Sequence, residues 1–235
     1  MVGLGNVGRR VLALLAEHED KLNEKYGLAF SVRCVADSSG VAVSEDGFDL
    51  ARLVAHKLAG SKLRELPEFR EGLGVAGALD SVPCDILLEA SPVDLDTGEP
   101  GVSNCRTALE HGLHLVLANK GPLALVHEEL DRLATDADAG ILYSAAFCGG
   151  LPVLNIIRRD MVCGEVSALR GIFNGTTNFI LDEMLNGRAY ADALREAQER
   201  GIAEADPSLD IGGWDTAAKL VIAANSIGDT MITLS

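Results

Sequence analysis

No run of apolar residues in this 235-residue chain approaches the roughly 18 that a membrane-spanning helix requires, which excludes a transmembrane span. The N-terminus has no basic stretch followed by an apolar core and a cleavage site, so no secretory leader is expected. The five cysteines (Cys34, Cys84, Cys105, Cys148 and Cys163) include no C-x-x-C pair and are odd in number. That argues for reduced thiols in a cytoplasmic protein over disulfides or zinc. Basic residues are outnumbered, 20 Lys and Arg against 35 Asp and Glu, for a net charge of −15. Nucleic-acid binding through a broad basic patch is thereby excluded. There is no internal repeat and no low-complexity linker. What is present is 48% hydrophobic residues, enough to bury a core in one large or two modest domains.

The chain opens MVGLGNVGRRVLALL, in which Gly3, Gly5 and Gly8 make a G-x-G-x-x-G spacing ahead of an apolar-periodic run. In a dinucleotide-binding turn the first glycine allows the tight bend, and the second lets the backbone approach the pyrophosphate. The third allows helix and strand to pack closely. The anion then sits on the free N–H groups of the helix N-terminus. Only Met1 and Val2 precede Gly3, so the first strand is a stub. Residues 28–37, LAFSVRCVAD, read as a second strand with Asp37 at its tip, placed to accept from ribose hydroxyls and to disfavour a 2′-phosphate. Arg33 lies within that strand, away from the tip, so the preference leans to NAD. The gap from Gly8 to Asp37 exceeds the usual spacing of roughly 20 residues, and a long helix and turn can fill it. A turn residue in D-S-S-G is the plainer alternative for Asp37.

Further along, strands and helices alternate. Helices are expected over 48–66, 103–112 and 127–138, and buried strands over 85–90 (DILLEA), 114–118 (HLVLA) and 140–145. Alternation with continuously apolar strands is the pattern of a parallel sheet covered on both faces. A composition shift near Gly149-Gly150-Leu151-Pro152 marks passage to a second domain. There a strand is expected over 167–173 and helices over 177–186 and 189–200. The predicted fold is α/β, a Rossmann-type domain at 1–143 followed by an α+β substrate domain at 144–235 with its own sheet.

Three segments at element ends carry chemistry. Asn119-Lys120-Gly121-Pro122-Leu123 follows the strand HLVLA, and ligands in open α/β sheets bind beyond the carboxyl ends of strands. A solvated loop lysine is the alternative for Lys120. Asn174-Gly175-Thr176-Thr177-Asn178 leads into a helix, and either threonine suits its N-cap. GIAEADPSLDIGGWDTAAK, residues 201–219, sets Glu204, Asp206 and Asp210 ahead of a helix start bearing Asp215 and Lys219. One helical turn separates that pair, so they share a face. Read alone, the pair is equally an ordinary surface ion pair.

Together these segments resemble the homoserine dehydrogenase family, whose patterns are G-x-G-x-V-G, N-K-x-P-L, N-G-T-T-N-[YF]-I-L and G-[YF]-A-E-x-D-P-x-x-D-x-x-G-x-D-x-x-x-K-L. This chain reads GLGNVG, NKGPL, NGTTNFIL and GIAEADPSLDIGGWDTAAKL in the same order. The resemblance implies NAD- or NADP-dependent interconversion of aspartate semialdehyde and homoserine, in the biosynthesis of threonine, methionine and isoleucine. It makes Lys219 the proton donor and puts Lys120 beside nicotinamide and substrate. Glu204, Asp215, Thr176 and Asp210 become substrate-binding residues. Gly3, Gly5, Asn6, Val7, Gly8, Asp37, Ser91, Lys120 and Gly201 become cofactor contacts. Main-chain carbonyls of Ser144, Phe147, Gly149 and Leu151 correspond to a family sodium site, with Ser144 standing where the family has Glu. A homodimer formed through the second domain, a small-molecule substrate and a cytoplasmic location are implied as well. Family members continue past Ser235, so the chain is expected to be C-terminally truncated and its second domain incomplete. The competing readings are a truncated, non-catalytic nucleotide-binding module and another amino-acid dehydrogenase acting on aspartate itself.

Overall fold

The computed structural model describes residues 1–235 apart from Val162, Asp229 and Ser235. The first half alternates as expected. Helix α1 (Asn6–Glu17) is broken at His18 from α2 (Glu19–Tyr26), and strands β1 (Cys34–Asp37) and β2 (Gly40–Val43) follow. Then come α3 (Leu50–Leu58), β3 (Phe69–Arg70), α4 (Val75–Ser81), β4 (Ile86–Glu89), α5 (Gly101–Glu110) and β5 (His114–Leu117). Helices α6 (Gly121–Leu125) and α7 (His127–Asp136) lead to β6 (Ile141–Leu142). The second half holds α8 (Ser144–Cys148), α9 (Val153–Asn155), α10 (Gly175–Leu185), α11 (Tyr190–Glu199), α12 (Ser208–Ile211) and α13 (Trp214–Ile227).

The parallel sheet is there: β4 pairs with β5, and β5 with β6, all parallel. The stub strand does its work with three residues. Val2 bridges in parallel both Ala36 and Glu89, donating to the Leu88 carbonyl (2.8 Å) and accepting from Ala90 (2.8 Å). Gly3 donates to Ala36 at 2.9 Å, which ties β1 to β4 through the chain start. The other edge departs from a parallel sheet, because β1–β2–β3 is an antiparallel meander with Asp37 opposite Gly40.

Four expected elements differ. The strand expected over 28–37 is confined to Cys34–Asp37, because the carbonyls of Val32 and Arg33 meet the turn at Ser44 and Phe48 and no strand. The helix expected over 48–66 stops at Leu58, with Gly60 at φ +80° beyond it, and a single 3-10 turn forms at Leu63–Glu65. The strand expected over 140–145 is two residues long. Its register sets Leu142 beside Val116, next to the end of β5, so the ladder runs out and the chain winds into α8. Residues 167–173 form no strand, and among the described residues none follows β6. An extended segment without a neighbouring edge has nothing to pair with. The expected second sheet is therefore absent from the described residues.

The main core binds the two halves. Leu109, Leu115, Leu117, Leu123 and Leu130 pack with Phe147, Leu154, Ile222 and Ala223. Burying each of these leucines, Phe147 or Ile222 contributes about 1.5–3 kcal/mol. Asp215, Ala218, Ile222 and Asn225 are buried along one face of α13, so anchoring Ile222 in the core turns Asp215 toward the carboxyl end of β5. No helix among the described residues is long and apolar enough to cross a membrane.

Candidate functional site

A cleft of about 1060 Å³ runs from the glycine turn past Ser91 and Pro92 to Ala118 and Glu204. Each glycine of the turn answers a different demand. At Gly3, φ is +88° and a Cβ would stand 2.1 Å from the Ala90 carbonyl oxygen. At Gly8 a Cβ would stand 2.0 Å from the Gly3 oxygen. At Gly5 it would meet no protein atom within 4 Å, so the bare backbone there faces open cleft. Gly5 caps α1 without a side-chain hydrogen bond, which leaves the first amides of the helix to an anion. These features fit the pyrophosphate of a dinucleotide. Asn6 and Val7 line the same end, and Asn6 Oδ1 accepts from Arg9 at 2.7 Å.

Asp37 stands at the tip of β1 inside the cleft, as expected, but it is engaged. Its Oδ1 accepts from the amide and hydroxyl of Ser39 (2.7 and 2.6 Å), and its Oδ2 from Lys57 Nζ at 2.7 Å. Burial would raise the Asp37 carboxyl, yet the hydrogen bonds from Lys57 and Ser39 hold it below the ordinary carboxylate range. Lys57 turns inward from α3 to reach it.

The second centre gathers residues far apart in sequence. Asp215, 6% exposed, receives Lys120 Nζ on Oδ1. Its Oδ2 receives Lys219 Nζ at 2.7 Å and Asn174 Nδ2 at 2.8 Å. Burial again works against ionisation, and the hydrogen bonds from Lys120, Lys219 and Asn174 outweigh it, so the Asp215 carboxyl lies below its usual value. Lys219 Nζ also donates to the Phe173 carbonyl at 2.7 Å. Sequence reasoning passed over Asn174, which connects the motifs: its amide bridges Asp215 and Asp210 (2.7 Å), and its Oδ1 accepts from the Thr177 amide at 2.8 Å. Asn174 is thus the N-cap of α10, where either threonine had been expected. Its signal was available, since Asn ranks with Asp and Ser among capping residues.

The remaining expected residues divide. Glu204 is exposed and lines the cleft. Asp210 reaches the cluster through Asn174. Thr176 is buried with its hydroxyl on the Ile202 carbonyl at 3.0 Å. Gly201 follows α11 at φ +69°, exposed. Ser144 and Phe147 lie within α8, with Gly149 and Leu151 in the turn beyond. Helical winding points the Ser144 and Phe147 carbonyls along the α8 axis and does not turn them toward one another. The buried Ser144 hydroxyl, without a hydrogen-bond partner, adds one neutral oxygen only.

Comparison with known proteins covers both halves. The family model for homoserine dehydrogenase, NAD binding domain, matches residues 3–144, and that for homoserine dehydrogenase matches 152–235. The chain is 38% identical to a homoserine dehydrogenase of Methanocaldococcus jannaschii, over 97% of this chain and 68% of that protein. It is 33% identical to an NAD(+)-dependent homoserine dehydrogenase of Pseudomonas canavaninivorans, over 100% of this chain and 67% of that one. Its fold is similar, at TM-score 0.80 and 28% identity, to a hyperthermophilic archaeal homoserine dehydrogenase in complex with NADPH, covering 97% of this chain and 69% of the other. The chain spans about two thirds of the length of these relatives.

Proposed function

The chain belongs to the homoserine dehydrogenase family, and from that premise we propose how its residues divide the work. The activity is NAD(P)-dependent oxidoreduction between L-homoserine and L-aspartate 4-semialdehyde, on the route to threonine, methionine and isoleucine. The observation that carries the assignment of roles is one buried carboxylate, Asp215, holding two ammonium groups beyond the carboxyl end of β5.

The bound dinucleotide supplies or takes up the hydride. The amides opening α1 would hold its pyrophosphate, and Ser91 and Asn6 line the same cleft. Charge develops on the substrate oxygen as the carbonyl gains or loses hydride. Lys219 stabilises that charge and passes the proton. An ammonium has three N–H groups, and those of Lys219 engage Phe173 and Asp215 among the described residues, leaving a third for the substrate oxygen. Asp215 holds both lysines by hydrogen bonds and aims them. Glu204 meets the substrate's ammonium, and Lys120 its carboxylate end. The intact Lys120–Asp215–Lys219 set favours this reading over a non-catalytic module.

We place the domain boundary at 143/144, a division supported by the family models meeting near it. A homodimer through the second half accords with the exposed Ile172 (74%) and Leu185 (86%). Free cysteines throughout accord with a cytoplasmic location. The test is homoserine-dependent reduction of NAD+ and NADP+ by the purified protein, with aspartate as control. Turnover with homoserine alone is expected. Dinucleotide binding without any homoserine turnover would overturn the reading.

A further inference from the structure

A buried side-chain network ties the carboxyl ends of β4 and β5 together, and of its members only Ser91 has a role assigned above. Glu89, the last residue of β4, is 1% exposed. Its Oε1 accepts from the Ser91 amide at 2.7 Å, and its Oε2 from Asn104 Nδ2 on α5 at 2.9 Å. Asn119, also 1% exposed, donates from Nδ2 to Ser91 Oγ (3.1 Å) and the Pro92 carbonyl (3.3 Å). Its Oδ1 accepts from the Gly121 amide at 2.9 Å.

We infer that Glu89 and Asn119 are positioning residues for hydride transfer, clamping the Ser91–Pro92 loop of the cofactor cleft to the turn that carries Lys120. The inference rests on the dehydrogenase reading. A carboxylate is costly to bury unless its oxygens are matched by donors, and here each oxygen takes a donor from a different element. An apolar residue at 89 would serve packing alone and would orphan both the Ser91 amide and Asn104. Asn119 is walled in: a Cβ on Gly101 would stand 2.6 Å from its Nδ2. The amide therefore cannot swing away, and the loop lining the cleft moves with the backbone that aims Lys120 at Asp215. Reactions that depend on near-attack geometry lose as much as about 10²-fold in rate for a 1 Å misplacement.

Asn119→Asp nearly preserves shape and keeps the acceptor for Gly121, but it loses both donated hydrogen bonds and sets an anionic oxygen against the Pro92 carbonyl. In the full protein we expect kcat to fall roughly 10–100-fold, with dinucleotide Kd near wild type and a lowered Tm, because the new carboxylate oxygen at this buried site has no donor. The primary isotope effect, measured with reduced dinucleotide deuterated at the transferred position, should rise as hydride transfer becomes limiting. Glu89→Leu, which leaves both the Ser91 amide and Asn104 without their acceptor, should also lower kcat and raise the isotope effect. A merely structural role would lower Tm and leave the isotope effect unchanged. Wild-type kcat and isotope effect in Asn119→Asp would overturn the inference. Should the wild-type protein show no homoserine turnover, the functional reading fails separately, and amide exchange then judges the clamp. Faster exchange at both 90–93 and 119–121 in Asn119→Asp supports it, and unchanged exchange refutes it.

Discussion

Lys120 and Asp215 lie 95 residues apart in the chain and are hydrogen-bonded in the fold. One comes from the end of a strand in the nucleotide half and the other from the first turn of α13 in the second half. Asp215 is the only carboxylate given to both Lys120 and Lys219 among the described residues, so its removal should do more than weaken one ion pair. Asp215→Asn leaves two ammonium groups facing each other with reduced compensation. We expect kcat to fall by about 10²-fold or more, with a smaller effect on dinucleotide Kd. A kcat within a factor of two of wild type would contradict the arrangement.

The same carboxyl gives a pH signature. Asp215 has a folded pKa depressed below its unfolded value of about 3.9. The stability it contributes is therefore fully present above that unfolded value and is lost as pH falls through the folded one. Urea midpoints of wild type and Asp215→Asn, compared across pH, should differ most near neutrality and converge on the acid side. A constant difference down to the acid limit would contradict the shift.

Cofactor choice turns on Lys57. Asp37 alone at the strand tip would repel a 2′-phosphate, but Lys57 offsets its charge. We expect a modest preference for NAD in the wild type and a stronger one in Lys57→Ala, where Asp37 is left unpaired. Titration of both proteins with NAD and NADP checks this, and tighter NADP binding by Lys57→Ala would refute it.

The glycine turn separates folding from binding. Gly5→Ala meets no protein atom and should leave Tm unchanged while weakening dinucleotide binding by roughly tenfold, about 1.4 kcal/mol. Gly3→Ala is blocked by both its φ and the Ala90 carbonyl, and it should destabilise the protein outright. Equal effects of the two changes on Tm would contradict the open space at Gly5, and an unchanged dinucleotide Kd in Gly5→Ala would show that the pyrophosphate does not lie there.

Motifs with local spacing were legible before the fold was known: the glycine turn, the strand-end Lys120, and the Asp215–Lys219 face. What escaped was set by long-range placement. Nothing in the segment 48–66 shows that Lys57 turns inward, because the reason is Asp37 on a neighbouring strand. Glu89 reads as an incidental acid within DILLEA until Ser91 and Asn104 are seen to close on it. The strand expected at 167–173 has a suitable composition, but pairing needs an edge that composition does not reveal. Residues 144–148 became a helix because the ladder beside β5 had run out, which is a fact about register.

The most direct test of the account is kcat for homoserine oxidation by Lys219→Ala, measured beside the wild type in this chain or in one extended at its C-terminus. If Lys219 passes the proton, kcat should fall by about 10²–10⁴-fold with little change in KM, and Lys219→Arg should not restore it, since a guanidinium stays protonated. Wild-type kcat in Lys219→Ala would contradict the account.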